Sequence, residues 1–132
     1  MKTYFHVFEM MTRNPYCATP QTPVPDLVRE LVSRRATAAP VIDSEEKLVG
    51  LISLVDVAVA SLGGQAARVG DLMQRRVHSI EHSATLTSAA GLMRKHRVHR
   101  LVVTDHDRVA GVLSCLDLLA AVEEVTGFPP VL

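Results

Sequence analysis

Tryptophan is absent from this 132-residue chain, and the aromatic set is two Tyr and three Phe. So few flat rings argue against a platform for stacking single-stranded bases. A dominant charge is missing too: 14 Lys plus Arg balance 14 Asp plus Glu. No net field draws the protein towards nucleic acid or an anionic membrane. There are only two cysteines, Cys17 and Cys115. They fall at non-equivalent places in the repeats described below, which speaks against a disulfide staple and for a reducing compartment. No apolar run is long enough to span a bilayer. The opening segment, broken by His6 and Glu9, lacks the apolar core of a signal peptide. A soluble, cytoplasmic protein is expected. No glycine-rich phosphate cradle and no Ser or Cys with an evident His and carboxylate partner occurs, so no enzyme is expected.

What the chain does have is a second copy of itself. Val7-Phe8-Glu9-Met10-Met11 returns as Val69-Gly70-Asp71-Leu72-Met73. Ala39-Pro40-Val41-Ile42-Asp43 returns as Leu101-Val102-Val103-Thr104-Asp105, and the offset is 62 residues in both cases. Gly50-Leu51-Ile52-Ser53-Leu54-Val55-Asp56 returns as Gly111-Val112-Leu113-Ser114-Cys115-Leu116-Asp117 at an offset of 61. One residue is lost between these blocks. Repetition on this scale marks supersecondary units that bury faces against each other. At 48% apolar content the chain is globular.

Leu27, Val28, Leu31 and Val32 recur at helical spacing, so Val24 to Arg35 reads as an amphipathic helix, with Thr22 and Pro23 at its start. Pro40 to Ile42 and Leu48 to Ser53 read as strands around the charged turn 43–47. Leu54 to Leu62 reads as a helix stopped by Gly63-Gly64. The second copy repeats the order. A helix is marked by Leu86, Ala89, Ala90 and Met93. Strands follow over Leu101 to Thr104 and Val109 to Ser114, then a closing helix from Cys115 to Val125. The fold class is α+β, with helices packed on small sheets. The partition is repeat 1 over 7–62, a linker over 63–68, repeat 2 over 69–125 and a tail over 126–132.

Each Gly-x-x-Ser-x-x-Asp segment leaves a strand and opens a helix. One reading is a capping box, in which Ser and Asp satisfy free amides of the first turn. The other is a nucleotide site: a helix N-terminus attracts phosphate, Ser donates to it, and the carboxylate accepts a ribose diol. In Arg94-Lys95-His96-Arg97-Val98-His99-Arg100, the cations read mostly as a solvated helix face. His99 and Arg100, at the mouth of a buried strand, are suited to phosphate. The first copy has Thr37 and Ala38 there, so the two copies are asymmetric. The pairs His96/His99 and His78/His82 share helical spacing, but no cysteine joins either one. No metal site is expected.

On the twin Gly-x-x-Ser-x-x-Asp segments, Ala38 to Asp43 and Val98 to Val103, the sequence resembles the tandem cystathionine β-synthase (CBS) domain pair, or Bateman module. The last segment is similar to the γ regulatory subunit of AMP-activated protein kinase. The resemblance covers roughly Val7 to Val125. It implies a β-α-β-β-α unit in each half, sheets packed back to back with pseudo-twofold symmetry, two adenosine-nucleotide clefts between the repeats, and pairing of modules into a disc-like homodimer. One cleft would use Ser53 for phosphate and Asp56 for ribose, with Val98, His99 and Arg100 opposite and Leu51 and His78 flanking adenine. The other would use Ser114 and Asp117, with Ala36, Thr37 and Ala38 opposite and Val112 and Tyr16 around the base.

The expected function is that of a non-catalytic regulatory module, signalling through a partner protein or another copy of itself. It would need no cofactor. AMP leads the regulatory ligands, with ADP, ATP, NAD or S-adenosylmethionine as the other family options. The rival is a dimeric interaction scaffold whose clefts are empty. A nucleic-acid binder using Arg75, Arg76 and the 94–100 cluster is disfavoured by the neutral charge, and no membrane partner is expected.

Overall fold

A computed structural model describes residues 5–64 and 68–127; residues 65–67 of the expected linker and 128–132 of the expected tail lie outside the described residues. In order, the elements are α1 (Val7–Met10), β1 (Thr12–Arg13), α2 (Val24–Arg34), β2 (Ala38–Ile42), β3 (Leu48–Ser53) and α3 (Leu54–Leu62). Then come α4 (Val69–Leu72), β4 (Ser79–Glu81), α5 (Leu86–His96), β5 (Arg100–Asp105), β6 (Arg108–Ser114) and α6 (Cys115–Thr126). The protein is α+β, as expected. The chain divides into two compact units: one holds the chain up to Asn14, His78–His106 and the chain from Ala110 on; the other holds Pro15–Val77 and Asp107–Val109. These units cut across the sequence repeats, because each copy's opening block, residues 7–13 or 69–74, belongs to the unit of the other copy.

In the unit of the second repeat, four strands run in the order β1-β6-β5-β4. β4 lies parallel to β5, with Ser79, Ile80 and Glu81 opposite Val102, Val103 and Thr104. β1 lies antiparallel to β6, with Thr12 opposite Val112 and Arg13 opposite Gly111. β4-α5-β5-β6-α6 is the full β-α-β-β-α order. Leu101, Val103, Leu113, Val7, Ile80, Ala89 and Met93 form its core.

The other unit follows the same plan in reduced form. β2 and β3 form an antiparallel pair, and single bridges at Ala18 and Gln74 stand where β4 and β1 stand in the other unit. Pro40 explains the loss on the parallel side. In the second unit the Val102 N–H donates to the His78 carbonyl at 3.1 Å. Val102 corresponds to Pro40, which has no N–H to give. Leu27, Leu31, Ala39, Val41, Ile52, Val57, Val69 and Met73 form this core. The missing residue between copies falls in the hairpin turn. Between the matched pairs Asp43/Asp105 and Lys47/Arg108 stand Ser44 to Glu46 in the first copy and only His106 and Asp107, both at positive φ, in the second. Two consecutive positive φ values are what a tight two-residue hairpin requires.

Two details differ from the sequence reading. Val32 and Ala90, assigned to apolar helix faces, are exposed. Thr22 does not cap α2. The N-cap is Pro23, and the Thr22 hydroxyl instead accepts from the Thr19 N–H at 3.0 Å.

The glycines of the Gly-x-x-Ser-x-x-Asp segments serve packing. A Cβ on Gly111 would stand 2.6 Å from the Thr12 carbonyl oxygen, and one on Gly50 would stand 2.6 Å from Met73 Sδ. Gly111→Ala must therefore push β1 off β6. It should destabilise the fold by about 1–3 kcal/mol, read as a lower urea midpoint at unchanged m value.

The two thiols make a second test. Cys115 is exposed and Cys17 half-buried. Burial pushes the Cys17 thiol up, and Glu46 adds to this while Arg34 opposes it. At pH 8 a thiol reagent should modify Cys115 rapidly and Cys17 slowly. A raised thiol keeps its proton longer in the folded than in the unfolded chain. Its contribution to stability is thus intact below pH about 9 and declines as pH rises beyond.

Candidate functional site

Each hairpin ends by delivering a Ser to a helix start. Ser53 is the N-cap of α3: its Oγ accepts from the Asp56 N–H at 3.1 Å. Asp56 Oδ2 accepts from the Ser53 N–H and from the Ser53 hydroxyl, both at 2.9 Å. Ser114 caps α6 in the same way. Its Oγ accepts from the Asp117 N–H at 3.3 Å, and Asp117 Oδ2 accepts from the Ser114 N–H at 2.8 Å. Both segments are thus capping boxes. This does not remove them from ligand chemistry, because the cap uses only Oδ2 of each carboxylate and each residue is half-exposed. A ribose diol needs an acceptor fixed in this manner.

The first helical amides are largely occupied. The Leu54 N–H donates to the Thr37 carbonyl at 2.9 Å and the Cys115 N–H to the His99 carbonyl at 2.8 Å. The third amide of each helix goes to the capping Ser. Of the first three amides, those of Val55 and Leu116 are left among the described residues for an incoming anion. An anion at either helix start would accordingly find few free amides and depend on side chains.

The unit containing Pro15–Val77 brings together Tyr16, Ala36, Thr37, Ala38, Leu51, Ser53 and Asp56. Ala38 faces Ser53 across the hairpin, and Leu51 faces Pro40. Ala36 follows α2 through Arg35, a left-handed C-cap at φ 53°, and its N–H closes back on the Leu31 carbonyl at 2.9 Å. Tyr16 is half-buried with the Arg34 guanidinium 5.5 Å from its ring centroid. Its phenol is pushed up, first by burial and then by Glu30. Gln74 had no place in the sequence reading. Its backbone exchanges hydrogen bonds with Leu51 at 2.8 and 2.9 Å, and its Nε2 approaches Asp56 Oδ1 at 3.4 Å.

The other unit brings together His78, Val98, His99, Arg100, Val112, Ser114 and Asp117. Val98 follows α5 through Arg97, again left-handed, at φ 55°. The two cations expected at phosphate belong to this unit: His99 and Arg100 occupy the places held by Thr37 and Ala38 in the first copy. The His78 ring stacks on His96 with centroids 4.1 Å apart and planes inclined by 19°. That contact was invisible in the sequence, since the two residues lie on β4's approach and at the end of α5.

A family model for the CBS domain matches residues 7–63 and again 69–124. The γ subunit of 5′-AMP-activated protein kinase from Saccharomyces cerevisiae is 34% identical over 109 residues, covering 74% of this chain and 34% of its own length. The structure of CBSX2 in complex with AMP is 28% identical at a TM-score of 0.80, covering 92% of this chain and 98% of that one. The CBS domain pair of MJ0100, solved with 5′-methylthioadenosine and S-adenosyl-L-methionine, aligns at a TM-score of 0.84 and 21% identity over 92% of this chain and 98% of that one, an agreement in fold. The curated relatives are longer proteins, and the chain spans about a third or less of the first three and of the yeast subunit. No helix among the described residues is long and apolar enough to cross a membrane. With two matches that together span most of its length, the chain belongs to the CBS domain family and carries two CBS domains in tandem.

Proposed function

We propose that the chain is a non-catalytic regulatory module that binds an adenine nucleotide, with AMP as its first ligand and with Asp56 and Asp117 as the ribose acceptors. The observation that carries this reading is the twin Ser–Asp helix start, which presents in each unit a carboxylate whose cap uses one oxygen. CBSX2, the 28% identical relative solved with AMP, supports the choice of ligand. Ser53 and Ser114 are assigned to phosphate, with His99 and Arg100 as the cationic partners. Leu51, His78, Val98, Val112, Tyr16, Ala36, Thr37 and Ala38 are assigned to the walls. Regulation follows by population shift, limited by the differential affinity of the nucleotide for two arrangements of the module.

At about 100 times its dissociation constant, AMP should stabilise the protein by about 2.7 kcal/mol, a rise of several degrees in Tm. Asp56→Asn and Asp117→Asn keep the side-chain shape and an acceptor for the cap. Each should weaken one site by about tenfold to a hundredfold, the loss of one charge-assisted hydrogen bond. Calorimetric titration of each variant against AMP checks this. Unchanged affinity in both variants rejects the assignment, and indifference of Tm to AMP, ADP, ATP, NAD and S-adenosylmethionine favours the scaffold reading.

Pairing with a second copy is the other part of the proposal. Val55, Val59 and Leu62 form a narrow stripe on α3 and are 70%, 69% and 90% exposed. Leu116, Leu119, Val122 and Val125 are exposed on α6. Exposed apolar residues in this number on a small domain call for a partner. Val59→Lys should convert a dimer into a monomer in sedimentation equilibrium, with little change in the far-UV spectrum.

A further inference from the structure

Away from the Ser–Asp helix starts, three metal-ligating side chains converge where β4 and β5 end. Glu81 closes β4, His82 follows it, and Asp105 closes β5. One carboxylate oxygen from each acid and one ring nitrogen of His82 lie within 4.8 Å of one another. The sequence scatters them, and the parallel register gathers them. Glu81 is level with Thr104, and the His82 N–H donates to the Thr104 carbonyl at 2.9 Å. His82 Nε2 stands 3.3 Å from Asp105 Oδ1. Two ligands of a tetrahedral zinc, bonded at about 2.0–2.1 Å, are about 3.4 Å apart.

Glu81 is also held from behind, as metal ligands generally are. Glu81 Oε2 accepts from the Thr104 hydroxyl at 2.9 Å, and Oε1 accepts from the His106 N–H at 3.3 Å. The Phe8 ring meets the His82 imidazole edge-on at 5.9 Å, and the Phe8 N–H donates to the His82 carbonyl at 3.1 Å. A second imidazole stands at the same carboxylate, with His106 Nδ1 2.6 Å from Asp105 Oδ1. A cavity of about 500 Å³ reaches His82 and Asp105, with room for water or an external ligand. Arg13 on its wall is tied to the Phe8 carbonyl at 3.0 Å.

The cluster is not part of the repeated architecture. The positions 62 residues earlier are Thr19, Pro20 and Asp43, which retain one donor of the three. As a surface ion pair alone the group would contribute about 0–1 kcal/mol. Imidazole with carboxylates and no thiolate suits a borderline divalent ion over copper(I) or calcium. We propose that Glu81, His82 and Asp105 bind one divalent transition-metal ion, zinc foremost, with water completing its coordination.

The test is calorimetric titration of the metal-free, nucleotide-free protein with Zn²⁺, repeated with Co²⁺ and read by visible absorption. One equivalent should bind. Loss of a supporting partner of a metal ligand costs about 10–100-fold in affinity, so His82→Ala and Asp105→Asn should each lose at least about tenfold. His96→Ala, which leaves this cluster intact, should bind as the unaltered protein does. Far-UV spectra of all variants confirm that the half-exposed substitutions leave the fold in place. Absence of Zn²⁺ binding by the unaltered protein overturns the proposal, and so does unchanged affinity in folded His82→Ala. Loss in His96→Ala with retention in His82→Ala would place the ion on the His78–His96 pair and equally overturn it. Nucleotide is left out throughout, so failure here is separate from failure of the AMP assignment.

Discussion

The close approach of backbone to Gly50 and Gly111 is the constraint on which both units depend. Each second hairpin strand must accept a passing segment so tightly that a methyl group would enter the Thr12 carbonyl in one unit and the Met73 thioether in the other. That passing segment is what carries Val7 or Val69, each fully buried, into its core. Without the approach, the edge of the sheet would lack its partner and the core would lose an aliphatic wall. Burying one Val side chain is worth about 1.5–3 kcal/mol. Because residues 7–13 complete a sheet whose other strands lie beyond residue 78, the chain must close a long loop before that burial is gained. The entropy of closure grows only slowly with loop length.

The same strand that receives the passing segment ends at the capping Ser three residues later. Strand packing, helix initiation and the candidate ligand carboxylate are therefore one device, set by seven residues. The duplicated device has diverged around its edges. Pro40 removes a parallel hydrogen bond that Val102 supplies in the other copy, reducing a strand to a bridge at Ala18. Thr37 and Ala38 stand where His99 and Arg100 stand. His99 and Arg100 are thus found in one copy, while the Ser–Asp box exists in both.

Much of this was legible before any coordinates. β3 and α3 begin and end where the alternation and the Gly63-Gly64 stop put them, and the tandem repeat gave the fold class. β1 and β4 were not legible, because strands of two or three residues with at most one apolar side chain, such as Ile80, carry no periodic signal. Thr22 and Pro23 mark the start of α2 in the sequence, and the cap itself is Pro23, with Pro25 in the first turn behind it. The role of Gly50 and Gly111 was hidden for a related reason: the neighbours that demand glycine come from far along the chain. The His82–Asp105 pair escaped the search for metal ligands because spacing rules describe one helix or one loop. These donors meet only through the register of two parallel strands.

The two carboxylates also differ in what a ligand must displace. A diol arriving at Asp56 meets an oxygen already approached by Gln74 Nε2, at a distance of 3.4 Å. A contact that long is weak, so giving it up costs little, and the freed amide can turn to the ligand. At Asp117 the residue in Gln74's position is Thr12, whose backbone is spent on β6 and whose shorter side chain carries no amide. The two helix starts therefore differ in what stands beside a shared Ser–Asp box: the Gln74 amide lies against Asp56, and Thr12 takes its place in the other copy. Divergence of this kind changes the surroundings of one duplicated helix start without altering the box that both helices require.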